Sequence, residues 1–256
     1  MINRIIRKLT QTSRLDEYKK ILEYALHEGY ILTSLADWYE NNFYPGKKVI
    51  ILRHDVDMNA YCAWQMFKIE YGLGVKSTYY FRWLTENSKI IKQIAMAGFE
   101  VSLHYETLAT YCRKNGIHTN TSITESDLNN CFDLLLVEKN KFESKYGKIK
   151  TLSSHGAPRN RKINTPNHVV LSAGNRDLLN IYFETYDTPI MRRIDKYISD
   201  SSINTDHNWR NNLNPLEEIR NHTLTICLLT HPQHWYYSPI ANFKHIFYDF
   251  YELLTS

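Results

Sequence analysis

Four apolar segments of this 256-residue chain each run directly into an ionisable cluster. Lys48–Leu52 leads into Arg53-His54-Asp55-Val56-Asp57, and Phe99–Leu103 leads into His104-Tyr105-Glu106. Ile149–Ser154 leads into His155-Gly156, and Thr223–Thr230 into His231-Pro232-Gln233-His234-Trp235. Short β-branched runs bounded by turn residues read as buried strands. Ser77–Trp83 and Tyr197–Asp200 read as two more strands. Amphipathic helices are expected over Asp16–Glu28, Ser88–Ala97, Glu125–Tyr146 and Phe243–Leu254, with another running from after Asp57 to Gly72. Strands alternating with helices imply an α/β fold with a mainly parallel sheet. In such folds catalytic groups gather at the carboxyl ends of the strands. One polar strand end is noise; four with metal-capable side chains imply a site assembled from distant parts of the chain.

Composition narrows the function classes. Hydrophobic residues at 43% and charged residues at 23% are ordinary for a globular chain. The formal charge of +4 lacks the dense basic patch of a nucleic-acid binder. No apolar run approaches the 18 or so residues of a membrane span, and the Ile5–Ile6 pair among Arg4, Arg7 and Lys8 is not a signal peptide. Cys62, Cys112, Cys131 and Cys227 form no CxxC pair, so a zinc ribbon is excluded and reduced thiols in a cytoplasmic protein are expected. With no repeat or linker, residues 1–256 read as one domain, residues 1–47 being a helical extension packed on it. Ala157 to Asp195 reads as one long irregular stretch.

The residue types at the strand ends define a chemistry. One carboxylate and two imidazoles are a common donor set for a catalytic Zn²⁺, with a position left for water. Asp55 and Asp57 lie one residue apart, where close carboxylates can divide into a metal ligand and a base. A leftover histidine can protonate a leaving amine. Taken singly, each residue has a plainer explanation: Asp57 as a helix N-cap, His104 and His155 as core or loop histidines, His234 as a supporting or surface group.

The order LRHDVD, GFEVSLHYE, SSHGAP, YISDSS with Trp209 downstream, and LLTHPQHW resembles the polysaccharide deacetylase (NodB-like, carbohydrate esterase family 4) superfamily over Lys48–Trp235. The resemblance implies a single-domain distorted (β/α)7 barrel and hydrolysis of the amide of an N-acyl sugar with Zn²⁺ or another divalent metal. It implies Asp55 as catalytic base, His231 as general acid, and Asp57 and His104 as metal ligands. Two departures stand out. Val56 separates the two aspartates, and Leu108 occupies the place of the second histidine of the metal motif. His155 is the expected replacement ligand, with Glu106 as the fallback. The family's Arg-and-Pro motif is matched loosely by Pro158 and Arg159, and Arg53 is expected to supply the positive charge beside Asp55. Arg53, Arg159, Tyr197, Asp200 and Trp209 are expected substrate contacts. The implied substrate is an amino-sugar, nucleotide-sugar or lipid-linked saccharide of bacterial surface polysaccharide biosynthesis, capsule or O-antigen. Acyl or formyl transfer to an amino sugar, and metal-free glycan binding, are the alternatives.

Overall fold

A computed structural model describes residues 12–201, 209–238, 240, 241, 243, 246 and 247. The terminal helix expected over Phe243–Leu254 falls largely outside these residues, as does most of the basic Arg4–Arg14 cluster. Eight parallel strands form one curled sheet: β1 (Ile31–Thr33), β2 (Val49–Val56), β3 (Thr78–Phe81), β4 (Glu100–Tyr105), β5 (Thr151–Ser154), β6 (Phe183–Glu184), β7 (Lys196–Ser199) and β8 (Thr225–Thr230). The order is β6-β5-β4-β3-β2-β8-β7. Along one edge of β2, β1 pairs with Val49–Ile51 and β3 takes over from Arg53 to Val56. Among the described residues β6 and β7 do not pair, so the seven-strand path is a distorted, open (β/α)7 barrel. The helices that cover it include α1 (Leu15–His27), α2 (Leu35–Glu40), α3 (Ala60–Leu73), α4 (Ser88–Met96), α5 (Thr107–Lys114), α6 (Glu125–Tyr146) and α7 (Pro158–Lys162).

β2 shows how a sequence of alternating faces builds this architecture. It is buried from end to end, and its side chains alternate between the two faces of the sheet. Val49 and Ile51 point inward and join Leu35 and Trp38 of α2, Tyr80 and Phe183 in an apolar plug at the amino-terminal end of the barrel. Further along the same face come Arg53 and Asp55, with Asp57 just past the strand. The inner face thus changes from apolar to ionic towards the carboxyl end. On the outer face, Ile50 and Leu52 pack under Tyr18, Ile21 and Leu22 of α1 and Met66 of α3. Burying each such aliphatic side chain contributes about 1.5–3 kcal/mol.

The segment expected as a helical extension is therefore more deeply involved: it supplies α1, the plug helix α2 and strand β1. Three further details differ from expectation. β2 reaches Val56, because the polar residues keep extended backbone and pair with β3. The helix after it ends at Leu73, with Gly74 at φ +69°, the left-handed conformation that glycine adopts without strain. Its N-cap is Asn59, whose side chain accepts from the Tyr61 amide, so Asp57 is not spent as a cap.

His54, on the outer face, anchors a buried polar cluster. Its register partner across the β2–β8 ladder is Thr230, and Nδ1 lies 2.6 Å from Thr230 Oγ1. Nε2 lies 2.6 Å from Oε1 of the fully buried Glu70 on α3. Glu70 also accepts from Tyr18 (2.5 Å), Ser77 (2.6 Å) and Tyr79 (2.6 Å), so one carboxylate ties α1 and β3 to α3 and β2. Burial alone would raise the Glu70 carboxyl, but His54 and the hydroxyls hold it below its usual range. Its stabilisation is thus complete above the ordinary glutamate value of about 4.3 and fades as pH falls through the folded-state value. Glu70→Ala strands three hydroxyls and an imidazole in the core. Urea unfolding at pH 7 is expected to show a loss of about 3–5 kcal/mol, shrinking as the pH is lowered. A loss under about 1 kcal/mol would mean the cluster is not a structural anchor.

Candidate metal centre

The four ionisable strand ends meet at the carboxyl end of the barrel, because β5, β4, β3, β2 and β8 are consecutive in the sheet. Asp57 is at the centre. Its Oδ1 lies 3.4 Å from His104 Nε2 and 3.7 Å from His155 Nε2, and its Oδ2 lies 3.7 Å from His231 Nε2. Asp57, His104 and His155 each offer one ligand atom, all within 4.8 Å of one another. Burial alone would raise the Asp57 carboxyl, but the imidazoles of His155, His104 and His231 hold it well below the usual carboxylate range.

The outward nitrogen of each imidazole is fixed from behind. His104 pairs in register with Ser153, and its Nδ1 lies 3.0 Å from the Ser153 carbonyl. His155 Nδ1 lies 3.0 Å from Glu106 Oε2. With a cation bound, Nδ1 of each ring would keep its proton against these acceptors and Nε2 would offer its lone pair to the ion. Both Nε2 atoms face Asp57 Oδ1, a buried oxygen with no hydrogen-bond partner among the described residues. A buried carboxylate oxygen without a partner, set between two imidazole nitrogens, suits a cation. The dimensions agree: two ligands about 2.1 Å from a tetrahedral ion lie roughly 3.4 Å apart.

Glu106, the fallback ligand, stands behind the site. It accepts from Arg82 Nη2 at 2.8 Å and contacts His155, and although burial opposes it, these partners bring its pKa down to about 2. The geometry thus brings His155, not Glu106, to Asp57. Leu108 lies fully buried in the apolar core on α5.

Asp55 has a different partner. Arg53 grips it with Nε to Oδ1 at 2.9 Å and Nη2 to Oδ2 at 2.8 Å, both side chains being nearly fully buried. Burial would raise Asp55, but the guanidinium, with His104 and His231, holds it below its ordinary value. Asp55 Oδ2 also lies 3.4 Å from His104 Nε2, so it borders the same site. Arg53 therefore supplies the expected charge beside Asp55. Arg53, expected as a substrate contact, has intramolecular partners in Asp55, Ser153 (2.6 Å), Tyr186 (3.0 Å) and Tyr197 (3.3 Å).

The other expected substrate contacts are also placed elsewhere. Tyr197 directs its hydroxyl to Arg53. Asp200 is fully buried, with Oδ1 2.5 Å from His231 Nδ1, while Oδ2 accepts from the His231 amide and Trp235 Nε1, each at 2.8 Å. It holds and charges His231. Trp209 packs on Trp235, with ring centroids 5.6 Å apart. Arg159 points away from the strand ends, to the Ile117 carbonyl (2.7 Å) and His118 (3.1 Å), so its guanidinium does not face Asp55. Arg82 and Tyr186 were not singled out in the sequence. Arg82 directly follows β3, a cation at a strand end, and that signal was available. Tyr186 sits in the irregular stretch and carried none.

Asp200, His231 and His234 form a second acid–imidazole group. There His231 Nδ1 and Asp200 Oδ1 are hydrogen-bonded to each other at 2.5 Å. Burial alone would lower the His231 imidazole, but the Asp200 carboxylate, with Asp57 and Asp55, pushes it up to about 9. His231 is thus a protonated donor at neutral pH.

No family model matches the chain, and no curated protein matches it. Solved structures do. The chain is similar to a wild-type CE4 family pseudoenzyme from Bacillus anthracis at 16% identity and a TM-score of 0.43, covering 82% of this chain and 63% of that one. It is similar to a mutant CE4 family pseudoenzyme with restored enzymatic activity, also at 16% identity and a TM-score of 0.43, covering 82% and 65%. It is also similar to a family 4 carbohydrate esterase from Bacillus anthracis at 13% identity and a TM-score of 0.40, covering 90% and 84%. These are CE4 structures. The chain spans just under two thirds of the length of the two pseudoenzyme structures.

The Asp200–His231 contact makes a direct prediction. In metal-free protein, NMR titration is expected to find the His231 imidazole protonated to about pH 9. In Asp200→Asn the titration is expected to move down towards the ordinary histidine value of about 6.5. An unchanged midpoint would mean that Asp200 does not set the charge of His231.

Proposed function

We propose that the chain is a metal-dependent amide hydrolase acting on an N-acyl amino sugar. The observation that carries this reading is the unpartnered, buried Asp57 Oδ1 between the Nε2 atoms of His104 and His155, flanked by a clamped carboxylate and a protonated imidazole. Asp57, His104 and His155 would hold the cation, and zinc is the ion that this donor set favours. When bound, such an ion acidifies water to a pKa of about 7 and polarises an acyl carbonyl.

The remaining work falls to the chain's own side chains. Asp55, kept ionised by Arg53, accepts a proton from the water that attacks the acyl carbon. His231 gives its proton to the sugar nitrogen as the carbon–nitrogen bond breaks, leaving a carboxylate and a free amine. Asp200 restores the imidazolium by favouring proton uptake at Nε2. Each of these proton-transfer roles is worth about 10²–10⁴ in rate. The substrate class follows the notion of a cytoplasmic surface-polysaccharide precursor, nucleotide-linked or lipid-linked. Two observations accord with it: all four cysteines are buried and free, and no helix among the described residues is long and apolar enough to cross a membrane.

The test is amine release from nucleotide-linked N-acetyl and N-formyl hexosamines by the purified chain, with metal content measured alongside. Activity is expected to vanish with a chelator and to return with zinc. Asp57→Ala and His155→Ala are expected to lose both metal and activity. Asp55→Asn and His231→Ala are expected to keep metal and to lose about 10²–10⁴ in kcat. Turnover that survives the chelator would overturn the reading. Glycan binding without metal or turnover would replace it with the non-catalytic alternative, which the buried Leu108 favours.

A further inference from the structure

A cavity of about 460 Å³ adjoins the candidate centre, formed largely by the stretch that had read as irregular sequence. That is large enough for a monosaccharide with a substituent. Two of its lining residues also belong to the centre. His155 presents Nε2 to Asp57, and the Tyr186 hydroxyl accepts from Arg53. An acyl group placed at Asp57 would therefore leave the rest of its sugar in this cavity.

The lining carries no carboxylate. It does carry the guanidinium of Arg161, on α7, and the side chains of Asn164 and His168, all three exposed. Arg161 makes one hydrogen bond, from Nη1 to the Gly156 carbonyl at 3.3 Å, so its other donors are free among the described residues. Neither Asn164 nor His168 spends its side chain on a hydrogen bond among those residues. The floor is rigid by contrast. Buried Asn167 donates to the His155 carbonyl at 2.6 Å and to Asn160 Oδ1 at 2.8 Å, which fixes the cavity wall to the metal-facing histidine. A cavity with a held floor, rimmed by free donors and one guanidinium and lined by no anion, is suited to an anionic ligand. A guanidinium in particular matches the two oxygens of a carboxylate or phosphate.

We propose that the sugar taken by this chain carries an acidic group, a carboxylate or a phosphate, which Arg161 binds while the acyl group faces Asp57. The proposal rests on the amide-hydrolase reading for the placement of the acyl group, and names the substrate class of that site.

Binding separates it from that reading, since no turnover is needed. Calorimetry or ligand-observed NMR with the purified chain would compare N-acetylglucosamine, N-acetylmuramic acid and N-acetylglucosamine 1-phosphate. At least one acidic sugar is expected to bind about tenfold more tightly than the neutral one, with the advantage falling as salt is raised. Arg161→Gln is expected to abolish that advantage and leave the neutral sugar's affinity unchanged. A preference for N-acetylmuramic acid alone identifies a carboxylate as the source, and a preference for the 1-phosphate alone identifies a phosphate. Equal affinities, an advantage that survives Arg161→Gln, or no binding of any of the three would overturn the proposal. Binding as expected without amine release would instead count against the hydrolase reading alone.

Discussion

Buried charge is the constraint around which this barrel is organised. Asp55 projects from the inner face of β2 and Asp57 lies just past its end, one buried and the other partly buried, and two carboxylates so close cannot both stay ionised without compensation. The chain compensates them differently. Arg53 neutralises Asp55 with a two-point clamp, and it is itself held by Ser153 and two tyrosine hydroxyls and lies against the Tyr80 and Tyr186 rings. Asp57 has no such clamp. Its neighbours are imidazoles whose far nitrogens are already committed, so one of its oxygens is left unpartnered. That asymmetry is what makes the pair usable. One carboxylate is fixed and ionised, and the other is short of a cation.

The supporting acids extend the same logic. His155 is backed by Glu106, which Arg82 holds, whereas His231 is backed by Asp200 with no basic partner of its own among the described side chains beyond the two histidines and the Trp235 indole. Glu106 orients the His155 ring, and Asp200 both orients the His231 ring and pushes its pKa up to about 9.

Much of this was legible in the sequence, for a physical reason. Strands buried on both faces read as continuous apolar runs, and a parallel sheet collects their ends. Hence VIIL, EVSL and TICLL pointed to a common rim, and Asp57, His104, His155 and His231 do meet there. The family resemblance singled out Leu108 as the place of a missing ligand, and His155 was the expected replacement because it too ends a strand. Short elements escaped. β6 has two residues and β1 has three, and both exist only because longer neighbours pair with them. Side-chain direction escaped too. Asp200 and Arg159 carry groups that suit a sugar, but their partners are set by tertiary contacts that no local pattern encodes. Asp200 lies beside His231 because β7 pairs with β8 in that register.

The central claim is that Asp57, His104 and His155 together hold a divalent cation. Anomalous diffraction from crystals soaked in zinc, recorded above and below the zinc edge, tests it most directly. The account predicts one strong peak about 2.0–2.2 Å from Asp57 Oδ1, His104 Nε2 and His155 Nε2. No peak at saturating zinc, or a peak instead between Asp200, His231 and His234, would contradict it.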